Sequence, residues 1–184
     1  MEGGIVLVTC AHSSLTLPSI EHLLTRYPKY TAVLTVRNTS DENTQRLRKI
    51  LSDCPEDRSI IDTLDLGSLA AVESYAGVIN ADIDAGRLPP LAAIICNAFT
   101  WCISDGLKFT SDDYESFMAV NHLTRLSIVL RLLSSFRPDG GKISGLEKFP
   151  SSLPDDLSFL FIQHQIKSEK KLVVGFKDMD YRKW

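Results

Sequence analysis

The chain has 184 residues, 44% of them hydrophobic and 23% charged, which is typical of one globular domain that buries a proper core. A formal net charge of −3 gives no reason to expect nucleic acid or an anionic membrane as a partner. No apolar run approaches the roughly 20 residues that span a bilayer, and the N-terminus lacks the basic start of a secretory signal. The four cysteines show no metal-type spacing, so we expect no metal site and a cytoplasmic protein with reduced thiols.

The first half of the chain alternates between short apolar runs and amphipathic stretches. This pattern predicts strands at 5–8, 31–36, 59–64 and 91–96, and helices at 18–27, 41–52 and 68–85. The connections are short enough to be crossovers between parallel strands. The sequence therefore predicts an α/β fold with a right-handed, doubly wound parallel sheet.

The fourth strand is the centre of the predicted site. It is apolar throughout, as parallel strands covered on both faces are, and it ends at Asn97. Ligands of such sheets bind at the carboxyl ends of the strands. A long amphipathic helix is predicted over 112–135, with Asn121 on its apolar face, where a polar side chain needs a partner.

The last quarter follows no such alternation. Residues 141–144 begin like a fifth strand, but 145–150 do not continue it, so we expect that strand to be missing. A short helix is predicted at 157–166, and 172–176 is either a strand or a loosely held segment. We accordingly divide the chain into a domain at 1–140 and a degenerate segment at 141–184. Strand four would then lie close to a sheet edge, which predicts marginal stability or obligate association.

Four segments, in order and each on the appropriate element, resemble the short-chain dehydrogenase/reductase family. They are Val8 to Thr16 for T-G-x-x-x-G-x-G, Asp65-Leu66 for D-L, Cys96 to Phe99 for N-N-A-G, and Thr110 to Leu123 for T-x-D-G-x-E-x-x-F-x-V-N-H-L. The likeness covers about three quarters of the chain and is greatest to fungal-type biosynthetic reductases. It implies a Rossmann-like sheet that is truncated at its C-terminal side.

The resemblance also implies NADP as cofactor. The residues that it assigns to cofactor binding are Thr9, Ser14 and Leu15 on the first turn, Arg37 at the 2′-phosphate, Asp65 near the adenine and Asn97 near the ribose. Against this, Cys10, Ser14 and Thr16 occupy the three glycine positions, so the turn may equally join strand to helix without a ligand. Arg37 could be a solvated surface residue, and Asp65 and Asn97 could be strand-end caps. His12 is expected to be a solvated loop residue.

The family's reaction uses a tyrosine as general acid/base with a lysine four residues later, and the resemblance makes Asn121 a catalytic-site residue that holds a water. No tyrosine in this chain has a lysine at that spacing; Tyr181 is followed by Lys183, and Ser144 is a poor match for the catalytic serine. Three hypotheses follow. The chain is an NADP(H)-dependent reductase of small-molecule, secondary-metabolite biosynthesis; or a non-catalytic relative that binds nucleotide or dimerises through helix 112–135; or a scaffold for non-redox chemistry.

Overall fold

The computed structural model describes residues 3–54, 58–100 and 106–136, together with the backbone of three short strands further on. Strands and helices alternate through the first two ranges. The elements are β1 (Ile5–Thr9), α1 (Thr16–Arg26), β2 (Thr31–Val36), α2 (Glu42–Leu51), β3 (Ser59–Thr63), α3 (Leu69–Asp84) and β4 (Leu91–Cys96). These bounds agree with the predicted elements to within two residues at each end.

The strands form one sheet in the order β3-β2-β1-β4, and all neighbours in this set run parallel. Successive side chains of β1 enter opposite cores, because strand residues alternate between faces. Leu7 packs on the side of α3, whereas Val6 and Val8 pack on the side of α1 and α2. Helices thus cover both faces, and the predicted doubly wound parallel sheet is confirmed.

The helix predicted over 112–135 is shorter and is not uniform. It consists of α4 (Ser116–Met118), a π-helical turn (Ala119–Leu123), α5 (Thr124–Arg131) and a 3-10 turn (Leu133–Ser135). It begins at Ser116 because the Glu115 carboxylate caps it, accepting hydrogen bonds of 2.8 Å from two backbone N–H groups. The preceding Asp113 has a φ of 61°, which no right-handed helix contains.

The sheet continues beyond β4, contrary to the prediction that the fifth strand is missing. β5 (Lys142–Ser144) pairs parallel with β4, and β6 (Gln163–Ile166) and β7 (Leu172–Val174) follow in antiparallel pairing. The prediction of a helix at 157–166 is therefore wrong over 163–166, and 157–162 lie outside the described residues. Backbone pairing along the strand edge overrides the weak local pattern of these three- and four-residue strands.

β4 is consequently an interior strand, with β1 on one side and β5 on the other. The prediction that it lies near an edge is wrong, and the marginal stability inferred from that edge loses its basis. Over the described part of the chain, no helix combines the length and the hydropathy needed to cross a membrane.

Candidate functional site

The turn between β1 and α1 contains no glycine. Cys10, at the first glycine position, has a φ of 53°, in the left-handed region that glycine adopts most easily. Thr16, at the third, is buried, and its hydroxyl donates to the Ala11 carbonyl oxygen at 2.8 Å. The same hydroxyl lies 2.9 Å from the Ser13 hydroxyl. The Thr16 side chain therefore closes the turn from inside instead of projecting towards a ligand.

Two predicted cofactor residues, Ser14 and Leu15, stand at the start of α1. Both are exposed, and their backbone N–H groups have no hydrogen-bond partner among the described residues. The next N–H, that of Thr16, is already bonded to the Ser13 carbonyl oxygen at 3.0 Å. Unpaired N–H groups at the N-terminus of an 11-residue helix carry partial positive charge, so this turn can bind an anion.

Two further predicted residues, Thr9 and Asn97, join the first turn to the end of β4. The Thr9 hydroxyl oxygen accepts from the backbone N–H of Asn97 at 3.0 Å and from that of Ala98 at 3.3 Å. The Asn97 side-chain Nδ2 donates to the Cys10 carbonyl oxygen at 3.1 Å and to the Ser13 hydroxyl at 2.9 Å. Both residues are buried, so the structure gives them a scaffolding role, and their contact with a cofactor stays a prediction.

The two charged residues predicted to bind nucleotide follow β2 and β3. Arg37 is exposed and makes no ion pair with a described residue. The exposed Asp65 accepts the Gly67 N–H at 2.8 Å on one carboxylate oxygen, as expected for a strand-end cap. Arg37 thus presents a cation, unpaired within the described residues, at the carboxyl edge of the sheet, beside the first turn.

His12 differs from the solvated histidine that the sequence predicts. Its side chain is only 15% exposed, Nε2 lies 3.9 Å from Oδ2 of Asp41, and Nδ1 is buried without a hydrogen-bond partner among the described residues. Asp41 caps α2 by accepting the Thr44 N–H at 2.6 Å, and this backbone contact is the main cause that lowers the pKa of Asp41, with His12 a smaller one. Packing of the first turn against the start of α2 therefore encloses the imidazole.

Asn121 sits in the π-helical turn, 4% exposed. Its Oδ1 accepts the Thr100 N–H and its Nδ2 donates to the Thr100 carbonyl oxygen, each at 2.9 Å. This two-point contact fixes the loop after β4 to the helix. The hydrogen-bond partner that the sequence analysis expected for Asn121 is thus the backbone of a residue 21 positions away. A catalytic role for Asn121 stays a prediction.

Arg125 is a residue that the sequence analysis missed. Its Nη2 donates to the Ala98 carbonyl oxygen, its Nε is buried and has no hydrogen-bond partner in the described part of the chain, and burial lowers its pKa. Burial also raises the pKa of the neighbouring Cys96 thiol to about 11, an effect that Arg125 partly offsets. The available signal was spacing, because Arg125 lies four residues after Asn121 and hence on the same helix face.

The structure does not describe the side chains of three residues that the sequence analysis judged poor matches for the catalytic group. Tyr181 and Lys183 lie outside the described residues, and Ser144 is described only by its backbone, opposite Ile95 in the β4–β5 pair. Within the described ranges, no group of three histidine, cysteine or acidic residues could hold a metal ion.

The carboxyl ends of β1, β2 and β4 therefore converge on one polar edge that contains the first turn, Arg37 and Asn97. A parallel sheet of this order, with such a turn between β1 and α1, defines the class of doubly wound nucleotide-binding folds. The narrower relationship follows from comparison with known proteins.

No family model matches the chain. It is 31% identical to the short-chain dehydrogenase iccH of Talaromyces variabilis over 78% of this chain and 40% of that protein. It is 35% identical to the dehydrogenase/reductase SDR family member FEY of Arabidopsis thaliana, over 52% of this chain and 25% of that protein. An NADPH-bound carbonyl reductase from chicken fatty liver shares the fold, with a TM-score of 0.58 at 20% identity over 73% of this chain and 52% of that one.

This chain belongs to the short-chain dehydrogenase/reductase family, as its motifs indicated. It spans 40% and 25% of the lengths of the two curated relatives.

Proposed function

We propose that the chain binds NADP(H) at the carboxyl edge of β1, β2 and β4. The observation that carries this proposal is the combination of two N–H groups at the start of α1 with the guanidinium of Arg37, none of which is paired with a described residue. The N–H groups suit a pyrophosphate, and an arginine after β2 suits the 2′-phosphate of NADP. The residues present fit such a nucleotide, because the Thr16 side chain at a former glycine position is bonded within the turn.

The activity that we propose is that of an oxidoreductase acting on small molecules, in line with the dehydrogenase names of the two curated relatives. A role in secondary metabolism rests on the likeness to fungal biosynthetic reductases, and a cytoplasmic location on the expectation of reduced thiols. In this activity, the first turn and Arg37 hold the cofactor, which supplies or accepts the hydride when bound. Asn121 and Thr100 would keep the loop after β4 in place beside it.

The direct test is a fluorescence titration of the full chain with NADPH, and with NADH as the control nucleotide. We expect NADPH to bind more tightly, because a charge-assisted hydrogen bond contributes about 1.5–3 kcal/mol, or roughly tenfold or more in affinity. Arg37→Gln should remove this preference. Arg26→Gln, an exposed arginine in the last turn of α1, is the matched control and should leave it unchanged. The proposal would be refuted if neither NADPH nor NADH bound to the chain.

A second candidate function, a dimerising partner, is favoured by the outer face of the helix at 116–131. Met118, Leu126 and Leu130 are 48%, 57% and 48% exposed there, which is unusual for three large apolar side chains on one helix. We propose that this face associates with a second copy or with a longer relative. Sedimentation velocity on the wild type and on Leu126→Glu tests the homodimer. A wild-type protein that remains monomeric at tens of micromolar contradicts that form of the proposal.

A further inference from the structure

The first turn contains an ionisable side chain, that of His12, which has no role in the nucleotide site as proposed above. His12 is mostly enclosed, faces the Asp41 carboxylate at 3.9 Å and has a buried Nδ1 that no described residue hydrogen-bonds. A buried imidazole nitrogen without a hydrogen bond costs free energy. A new hydrogen-bond partner, or a change in the charge of the imidazole, would reduce that cost. Histidine is the side chain whose charge changes near physiological pH.

Three elements bring ionisable groups to the first turn, which contains His12. The first turn contributes Cys10, the end of β2 contributes Arg37, and the start of α2 contributes Asp41. The Cys10 thiol is affected by both charged neighbours. Burial raises its pKa most, the Arg37 guanidinium lowers it, and the Asp41 carboxylate raises it. Arg37 and Asp41 therefore both lie close to the turn, and they carry opposite charges.

While His12 is neutral, the Asp41 carboxylate disfavours binding of a phosphate beside Arg37. A 2′-phosphate at Arg37 carries close to two negative charges at neutral pH, and the Asp41 carboxylate repels it. Protonation of His12 neutralises Asp41 and leaves Arg37 as the net charge of the crevice. A phosphate at this position in turn stabilises the imidazolium.

We propose that binding of a 2′-phosphorylated adenine nucleotide is coupled to protonation of His12, so that the preference for NADP(H) over NAD(H) increases as the pH falls. This inference rests on the proposed function, since it concerns the same crevice. Asp41 is the repulsive element of the coupling, and Arg37 is the permanent attractive one. The linkage requires that the 2′-phosphorylated nucleotide takes up a proton on binding, whereas the nucleotide without that phosphate does not.

The test uses two fragments that differ only in the 2′-phosphate, 2′,5′-ADP and 5′-AMP, titrated calorimetrically into the full chain between pH 6 and pH 8. Repeating each titration in buffers of different ionisation enthalpy counts the protons taken up. We expect protons to be taken up with 2′,5′-ADP only. The affinity for 2′,5′-ADP should fall as the pH rises, by up to tenfold per pH unit, which is the limit for one linked proton. His12→Gln should abolish the uptake and should also remove the pH dependence of the affinity, because the slope equals the number of protons taken up.

Two controls separate linkage from damage to the fold. His22→Gln changes an exposed histidine of α1 and should behave as wild type. Asp41→Asn keeps a cap oxygen for α2 but removes the repulsion, so it should tighten 2′,5′-ADP binding most at pH 8. Binding of 2′,5′-ADP without proton uptake, or unchanged uptake in His12→Gln, overturns the coupling but leaves the proposed function standing. If neither fragment binds at any pH, the nucleotide site itself is refuted, and the coupling with it.

Discussion

The connection between the first turn and β4 depends on one amide group, and the isosteric change Asn97→Asp tests it. The Asn97 Nδ2 donates to the Cys10 carbonyl oxygen at 3.1 Å and to the Ser13 hydroxyl at 2.9 Å, in a side chain that is 6% exposed. The substitution keeps size and shape but replaces this donor with a carboxylate oxygen. The Ser13 hydroxyl can turn to donate, whereas the Cys10 carbonyl cannot.

The magnitude follows from two contributions. The lost hydrogen bond costs about 1 kcal/mol, and a buried carbonyl facing another acceptor costs about 1–3 kcal/mol more. We therefore expect a loss of about 2–4 kcal/mol in the free energy of unfolding at pH 7. For a chain of this size, that corresponds to a decrease in Tm of roughly 5–15 °C.

Asn38→Asp is the matched control. Asn38 is exposed and uses its Oδ1 only as an acceptor for the Ser40 N–H at 2.8 Å, a function that a carboxylate retains. We expect a change within about 0.5 kcal/mol there. Urea unfolding of the two variants beside the wild type measures the difference.

The pH dependence gives the experiment a second readout. The new carboxyl at position 97 lies beside a carbonyl oxygen, which raises its pKa in the folded state above the unfolded value. The deficit relative to wild type should therefore be small near pH 4, where the carboxyl is neutral and can donate, and should grow as the pH rises. Equal losses in the Asn97 and Asn38 variants, or a deficit independent of pH, would refute the assignment of the amide as the connecting group.

Three further predictions concern stability. Cys10→Gly should raise the Tm by a few degrees, because a side chain in the left-handed region costs about 1–2 kcal/mol, and Asp113→Gly should do so less, since aspartate tolerates that region better; a fall in Tm for Cys10→Gly would contradict this. The buried Cys96 thiol, with a pKa of about 11 against 9.0 when unfolded, should contribute stability that is complete below pH 9 and is lost as the pH rises towards 11, so Cys96→Ala should flatten that part of the alkaline melting profile. Asn121→Leu removes both bonds to Thr100 and should lower the free energy of unfolding by about 2–4 kcal/mol, measured by urea unfolding; a loss under about 1 kcal/mol would mean that the loop is held by other contacts.

The sheet and its helices were predictable from the sequence because their signal is local and periodic. The β1 run Ile5 to Val8 alternates between two cores, and helix α3 places Val72, Ala76 and Ile79 on one buried face. Such patterns survive whatever the rest of the chain does. The short strands β5 to β7 have only three or four residues each, too few for any period to be counted, and only pairing with neighbours defines them.

The site was predictable in position but not in contacts. The motif positions lie at the carboxyl edge of the sheet, as expected, and Asp112 of the fourth motif proves to bond the Leu69 N–H at 2.6 Å, tying its loop to the start of α3. Partners such as Thr100 for Asn121, or Asp41 for His12, are 21 and 29 residues apart and meet only in the folded chain. No spacing rule within one helix or strand can supply them.

The turn after β1 has one more consequence, for how related chains are recognised. Its backbone is held by hydrogen bonds from the side chains of Thr16, Ser13 and Asn97, and Thr16 stands at a position where the family motif has glycine. A search keyed to glycine spacing would pass over such a chain. A search for a buried threonine three residues after a serine, with an asparagine directly after the fourth strand, would find it. Such a search would also show how often threonine replaces the last glycine of the motif.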